Sequence, residues 1–124
     1  MIEYTVKVNN DGDKHWCLNG KLHREDGPAI EWSDGTKQWF LNGKRHREDG
    51  PAFEWSDGSK FWYQNGKQHR EDGPAIEFSD GDKRWYLNGQ EYSEETFLKK
   101  TQPVKEMSIA QIEKQLGYTI KVVK

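Results

Sequence analysis

A 23-residue period runs through this chain and limits what it can become to a repeat array. His-Arg-Glu-Asp-Gly-Pro-Ala begins at His23, His46 and His69, Ser-Asp-Gly at Ser33, Ser56 and Ser79, and Asn-Gly at Asn19, Asn42, Asn65 and Asn88, always 23 residues apart. Fixed periods of roughly 20 to 50 residues identify folds in which each unit buries its apolar face against the next.

Each period carries two hairpin signals, Asp-Gly and Asn-Gly, whose residues tolerate the positive φ angles of two-residue turns. Two strands and two turns per repeat follow. A two-residue loop at Asp57-Gly58 sets Phe53 opposite Trp62 and Trp55 opposite Lys60. The same register sets Ile30 opposite Trp39 and Ile76 opposite Trp85. A two-residue loop at Asn42-Gly43 sets Trp39 opposite His46, and likewise Trp16 opposite His23 and Trp62 opposite His69. This predicts a row of apolar residue, Trp and His on one face. The other face is expected to be wetter, with Glu31, Glu54 and Glu77 beside Ala29, Ala52 and Ala75, and Phe40, Tyr63 and Tyr86 across from the alanines. Cys17 takes the slot of those aromatics, reads as a small hydrophobe, and allows no internal disulfide as the single cysteine. Arg-Glu-Asp-Gly-Pro is the longer connection, because Pro cannot donate to a ladder and restricts the Gly before it.

The predicted fold is mainly β: a single-layer antiparallel β-hairpin meander of the solenoid type with a small α/β C-terminal cap. Residues 1–9 form an N-terminal capping strand, 10–92 four repeats of which the last is partial, and 93–124 a helix-helix-strand cap. The first strand alternates Ile2, Tyr4, Val6 and Val8 with Glu3, Thr5 and Lys7. Ser93 caps a helix running to about Lys100, Pro103 breaks it, Ser108 starts a second that stops at Gly117, and Tyr118 to Val123 alternate as a last strand. Only 32% of the 124 residues are hydrophobic, a low figure for a folded chain, but six Trp, five Tyr and five Phe supply large buried areas. A net charge of −2, with both signs mixed along the chain, disfavours duplex nucleic acid as partner. The lack of a signal-like or long apolar run predicts a soluble cytoplasmic protein that does not engage a membrane.

His-Arg-Glu-Asp invites a chemical interpretation, which spacing opposes. Equivalent histidines two strands on lie roughly 10 Å apart, too far to share a metal whose ligands converge at about 2 Å. Three copies in near-identical settings also give no group a distinct catalytic role. Tyr92 fills the fourth copy of the His slot, so the position asks for a flat ring beside Trp. The Arg and Asp of each copy could form an ionic ladder, or the Arg row could meet an anionic partner. The candidate binding surface is Trp39, Trp62, Trp85, His46, His69, Arg47, Arg70, Glu48 and Glu71. It is expected to be incompletely shielded, because the tail is too short to cover four repeats.

Asn-Gly-Lys-Arg-His from Asn42, the Trp three residues before it and the later Asp-Gly resemble MORN repeats, especially the MORN-like variants of bacteriophages and large DNA viruses. The resemblance covers about residues 10 to 92 and departs where Gly-x-Gly usually follows the His. It implies an elongated hairpin array that acts by binding, with neither cofactor, metal nor catalysis. A viral origin implies a host protein as partner, such as a defence effector inhibited in the anti-CRISPR manner, in the host cytoplasm. The alternative is a nucleotide or sugar binder that stacks its ligand on Trp39 or Trp62 and pairs phosphates with Arg47 or Arg70. A homodimer through an edge strand or the C-terminal tail is a further expectation.

Overall fold

The structure is a computed structural model that describes residues 3–101. Its strands begin with β1 (Thr5–Val8), β2 (Lys14–Leu18), β3 (Lys21–Leu22), β4 (Ile30–Glu31), β5 (Lys37–Gln38), β6 (Phe40–Leu41) and β7 (Lys44–Arg45). They continue with β8 (Phe53–Glu54), β9 (Lys60–Phe61), β10 (Tyr63–Gln64), β11 (Lys67–Gln68), β12 (Ile76–Glu77), β13 (Lys83–Leu87) and β14 (Gln90–Tyr92). One helix, α1 (Glu94–Thr101), follows. The result is the expected antiparallel hairpin meander, with one long sheet ordered β1-β2-β4-β5-β8-β9-β12-β13-β14.

The two hairpin signals make different turns. Asn42 and Gly43 both adopt positive φ, 52° and 80°, so the β6–β7 loop has two residues and Phe40 pairs with Arg45. At Ser-Asp-Gly only the glycine is left-handed, with Gly58 at 96°. Gly58 N–H donates to the Trp55 carbonyl at 3.0 Å and Trp55 N–H to the Ser59 carbonyl at 2.9 Å, which makes a three-residue loop closed by a glycine bulge.

The extra loop residue shifts the expected register by one. Phe53 pairs with Phe61 and Glu54 with Lys60, in place of Phe53 with Trp62 and Trp55 with Lys60. Ile30 likewise pairs with Gln38 and Ile76 with Arg84 rather than with Trp39 and Trp85. A one-residue slip reverses faces, so the predicted single row of apolar residue, Trp and His is split between the two sides of the sheet. The Asn-Gly register holds: His46 N–H donates to the Trp39 carbonyl at 3.1 Å, and Trp85 pairs with Tyr92.

One face carries an alternating charge ladder of successive cross-strand partners: Lys14, Glu31, Lys37, Glu54, Lys60, Glu77 and Lys83. Opposite charges facing each other across strands contribute roughly 0.2–1 kcal/mol each and oppose a slip that would bring like charges together. Behind the sheet, Ala29, Ala52 and Ala75 are wholly buried, and Ile30, Phe53, Ile76 and Phe40 nearly so. Leu22 packs on the Ala29, Ile30 and Phe40 cluster. Arg45 takes the equivalent slot one repeat on, its guanidinium 5.5–5.7 Å from the Phe40, Phe53 and Tyr63 rings.

Successive Ser-Asp-Gly loops are tied together by side chains. Ser33 N–H donates to Asp13 Oδ1 at 2.7 Å, Ser56 N–H to Thr36 Oγ1 at 3.1 Å, and Ser79 N–H to Ser59 Oγ at 3.0 Å. Within each loop an aspartate accepts from the residue two further on, as Asp57 does from Ser59 N–H at 2.8 Å. At the other end of the array, Thr96 N–H donates to Ser93 Oγ at 3.2 Å, and Phe97 is 2% exposed. The first helix thus starts where the capping residue predicts. The second helix and final strand expected from Ser108 and Tyr118 lie outside the described residues. Among the described residues no helix is long and apolar enough to cross a membrane.

These loops carry a pH dependence. The Asn9 side chain and Ser33 amide hold the Asp13 carboxyl below the usual aspartate value, and the Ser59 amide and hydroxyl do the same for Asp57. A lowered folded value contributes stability that is present above the unfolded value, about pH 4, and lost as pH falls through the lowered one. The thermal midpoint should therefore drop as a titration passes below about pH 4, and Asp57→Asn should flatten that acid limb.

Candidate functional site

The His-Arg-Glu-Asp-Gly-Pro copies form one edge of the array, and each arginine organises its own copy. The Arg47 guanidinium lies 3.9 Å above the Trp39 ring, Nε donates to Asp49 Oδ1 at 3.1 Å, and Nη1 donates to the Pro51 carbonyl at 3.1 Å and Glu54 Oε1 at 3.2 Å. Arg24 on Trp16 and Arg70 on Trp62 repeat the stack at 4.0 and 3.9 Å. The hydrogen bond from Arg70 holds the Asp72 carboxyl below the ordinary aspartate value. A planar guanidinium that stacks and donates at once does what lysine cannot.

The glycine of each copy is explained by that arginine. A Cβ on Gly50 would sit 3.0 Å from Arg47 Cζ, so the side chain folds across a bare backbone. Close approach, rather than positive φ, requires glycine here.

The histidines tie one repeat to the next. His23 Nδ1 accepts from Asn42 N–H at 2.9 Å, His46 Nδ1 from Asn65 N–H at 3.0 Å, and His69 Nδ1 from Asn88 N–H at 2.9 Å. Nδ1 is therefore the bare nitrogen, and the proton sits on Nε2, which faces Glu25, Glu48 and Glu71 at 3.5, 3.6 and 3.3 Å. With Nδ1 engaged, Nε2 and one carboxylate remain in each copy for any metal. Among the described residues no three His, Cys, Asp or Glu side chains converge as a metal site would need.

Two equivalent grooves separate successive copies. One of about 660 Å³ is lined by residues that include Arg24, Asp26, Trp39, His46, Arg47 and Glu48. The next, about 550 Å³, includes Glu48, Trp62, His69, Arg70 and Glu71. Eight of the nine sequence-derived candidates thus meet in this pair of grooves: Trp39, His46, Arg47 and Glu48 in the first, and Trp62, His69, Arg70 and Glu71 added in the second. Trp85 stands apart, in a cleft with Arg84, Glu91, Tyr92 and Glu94. The Glu48 and Glu71 side chains are exposed, whereas those of Arg47 and Arg70 are largely covered.

Sequence reasoning missed a second surface. Trp32, Trp55 and Phe78, each directly before Ser-Asp-Gly, are 38%, 41% and 38% exposed on the face opposite the arginine-capped tryptophans. Trp55 stacks on Phe53 at 4.1 Å and meets Phe61 edge-on at 5.8 Å, and Phe61 meets Phe78 edge-on at 5.7 Å. Their 23-residue spacing was visible; the assumed two-residue loop hid which way they point.

No family model and no curated relative matches the chain.

The histidine tie has a specific test. His46→Ala leaves the solvent-exposed Asn65 amide without its protein acceptor and should cost about 0.5–1.5 kcal/mol, the net value of one hydrogen bond. His46→Asn, whose amide oxygen can occupy the place of Nδ1, should recover part of that loss in denaturant melts. Equal losses in both would show that the ring acts by packing alone.

Proposed function

We propose that this chain is a non-enzymatic, MORN-like protein-binding module, and that the exposed aromatic row of Trp32, Trp55 and Phe78, with half-buried Phe61 between the last two, is its main contact surface. One observation carries this: large aromatic side chains stand at the surface in repeat register, and among the described residues no guanidinium stacks on Trp32, Trp55 or Phe78, whereas Trp16, Trp39 and Trp62 are each capped by an arginine. Aromatic anchors dominate binding energy at protein interfaces, and contiguous exposed apolar surface marks such interfaces. The repetition suits an extended partner surface better than a single small substrate. The phage and viral variants that the repeat resembles favour a host protein as the partner, a defence effector among the candidates.

Capture from a bacterial lysate tests the surface. Trp55→Ala with Phe78→Ala should weaken a captured partner's binding at least tenfold, the effect of losing about one hot spot. Glu48→Ala should leave it unchanged. Retention by the aromatic double variant, with its fold intact by circular dichroism, would move the site elsewhere.

The paired grooves support a second reading, a small anionic or aromatic ligand, since their volumes fall in the range of ligand sites. A thermal-shift screen with nucleotides and sugars decides it. A binder at a hundred times its Kd should stabilise the chain by about 2.7 kcal/mol, an effect lost in Trp39→Ala.

A further inference from the structure

Each Asn-Gly turn hangs on the copy before it by two bonds, and only one of them carries a titratable group. Gly43, Gly66 and Gly89 N–H donate to the Leu22, Arg45 and Gln68 carbonyls, each at 2.8 Å. Asn42, Asn65 and Asn88 N–H donate to the Nδ1 of His23, His46 and His69. The Ser-Asp-Gly turns at the other end of each hairpin pair are tied by a different chemistry. Ser56 N–H donates to the Thr36 hydroxyl and Ser79 N–H to the Ser59 hydroxyl, groups that do not titrate in water near neutrality. At the first of these loops the acceptor is Asp13, whose carboxyl lies below the usual aspartate value and so stays charged above about pH 4. The two edges of the array therefore answer differently to a proton.

Only the neutral ring has an acceptor at Nδ1, because imidazolium donates from both nitrogens. Once the ring is charged, its Nδ1–H and the asparagine N–H point at each other and the bond is lost. The tie is thus present while the ring is neutral and lost as pH falls through the imidazole range, between about pH 8 and 5. A charged ring also finds its counter-ions in place. Glu48 lies 3.6 Å from His46 Nε2, and Glu25 lines the same groove. The arginines there are already engaged, Arg24 by Asp26 and Arg47 by Asp49. Around His69 the same set returns one copy on, with Glu71 3.3 Å from Nε2, and α1 adds Lys100 to the cleft beside the ring. His23 has Glu25 at 3.5 Å and the Tyr4 ring stacked on it at 6.2 Å.

We infer that the three histidine ties form a proton-operated latch, in which protonation of His23, His46 and His69 unfastens the Asn-Gly edge of the array while the Ser-Asp-Gly edge stays tied. The glycine bonds keep the turns attached, so the edge loosens without the sheet coming apart. His46 and His69 line the two grooves, and the release acts on those grooves first.

Nuclear magnetic resonance on the full chain tests this, with amide protection expressed relative to an unstructured peptide at the same pH. From about pH 8 to pH 5, the Asn65 amide should lose roughly two- to tenfold in protection, the worth of one hydrogen bond. The Ser56 amide should keep its own. The loss at Asn65 should track the passage of the His46 ring from the Nε2–H tautomer to imidazolium, read from its nitrogen shifts. His46→Asn, whose side chain does not titrate, should abolish the pH dependence of Asn65. Three outcomes overturn the latch. The first is Asn65 protection that stays constant while the His46 ring becomes charged, and the second is an equal loss at Ser56, which would mean that the whole fold opens. The third is a pH dependence of Asn65 that persists in His46→Asn.

Discussion

What holds this array in register is a set of hydrogen bonds that each reach across one repeat to a backbone amide. A histidine Nδ1 accepts from the asparagine amide 19 residues later, and an aspartate, threonine or serine oxygen accepts from the serine amide 20 residues later. Both lie at turns, where backbone amides have no ladder partner and leaving them unmet costs more than a made bond returns. With the turns tied at both ends of the hairpin pair, strands of two residues suffice between them. Elements so short could not hold a sheet by ladder bonds alone.

The arginines act on a second scale, within a repeat. Each covers a tryptophan, fixes the acidic loop below it and demands a glycine beneath its own side chain. Exposed ion pairs contribute little, but the stack with its carbonyl and carboxylate acceptors makes one preorganised unit. That unit also determines which aromatics are free. Trp16, Trp39 and Trp62 are capped, and Trp32, Trp55 and Phe78 are the large aromatics that stay exposed among the described residues.

Much of this was legible in the sequence because repetition converts spacing into geometry. The antiparallel hairpin meander, the Asn-Gly turns, the Trp and His pairing and the Ser93 helix start all followed from residue type and interval, whereas each repeat has four short strands in place of the two expected. The Asp-Gly turn did not, since Asp-Gly suits both a two-residue loop and a three-residue loop with a glycine bulge. One residue of difference turned Trp55 from a partner of Lys60 into a neighbour of Phe53 and Phe61, and with it the aromatic face. The role of histidine was half legible. Its structural duty could be argued from Tyr92 in the fourth copy, but the amide it holds is 19 residues away, a distance no local pattern reveals.

The uniform offset of these ties bears on how such a chain can change length. Excision of residues 24–46 would join His23 to Arg47, and the His23 ring would then face the Asn65 amide, chemically the same acceptor and donor as before. The charge ladder would close Lys14 onto Glu54 just as it now closes onto Glu31. Whole-repeat gain or loss is therefore nearly silent to the bonds that set register, whereas insertion or deletion of a single residue changes the offset of every tie that spans it. Recombination between repeats could lengthen or shorten the array in integral steps, adding or removing one exposed aromatic and one groove each time.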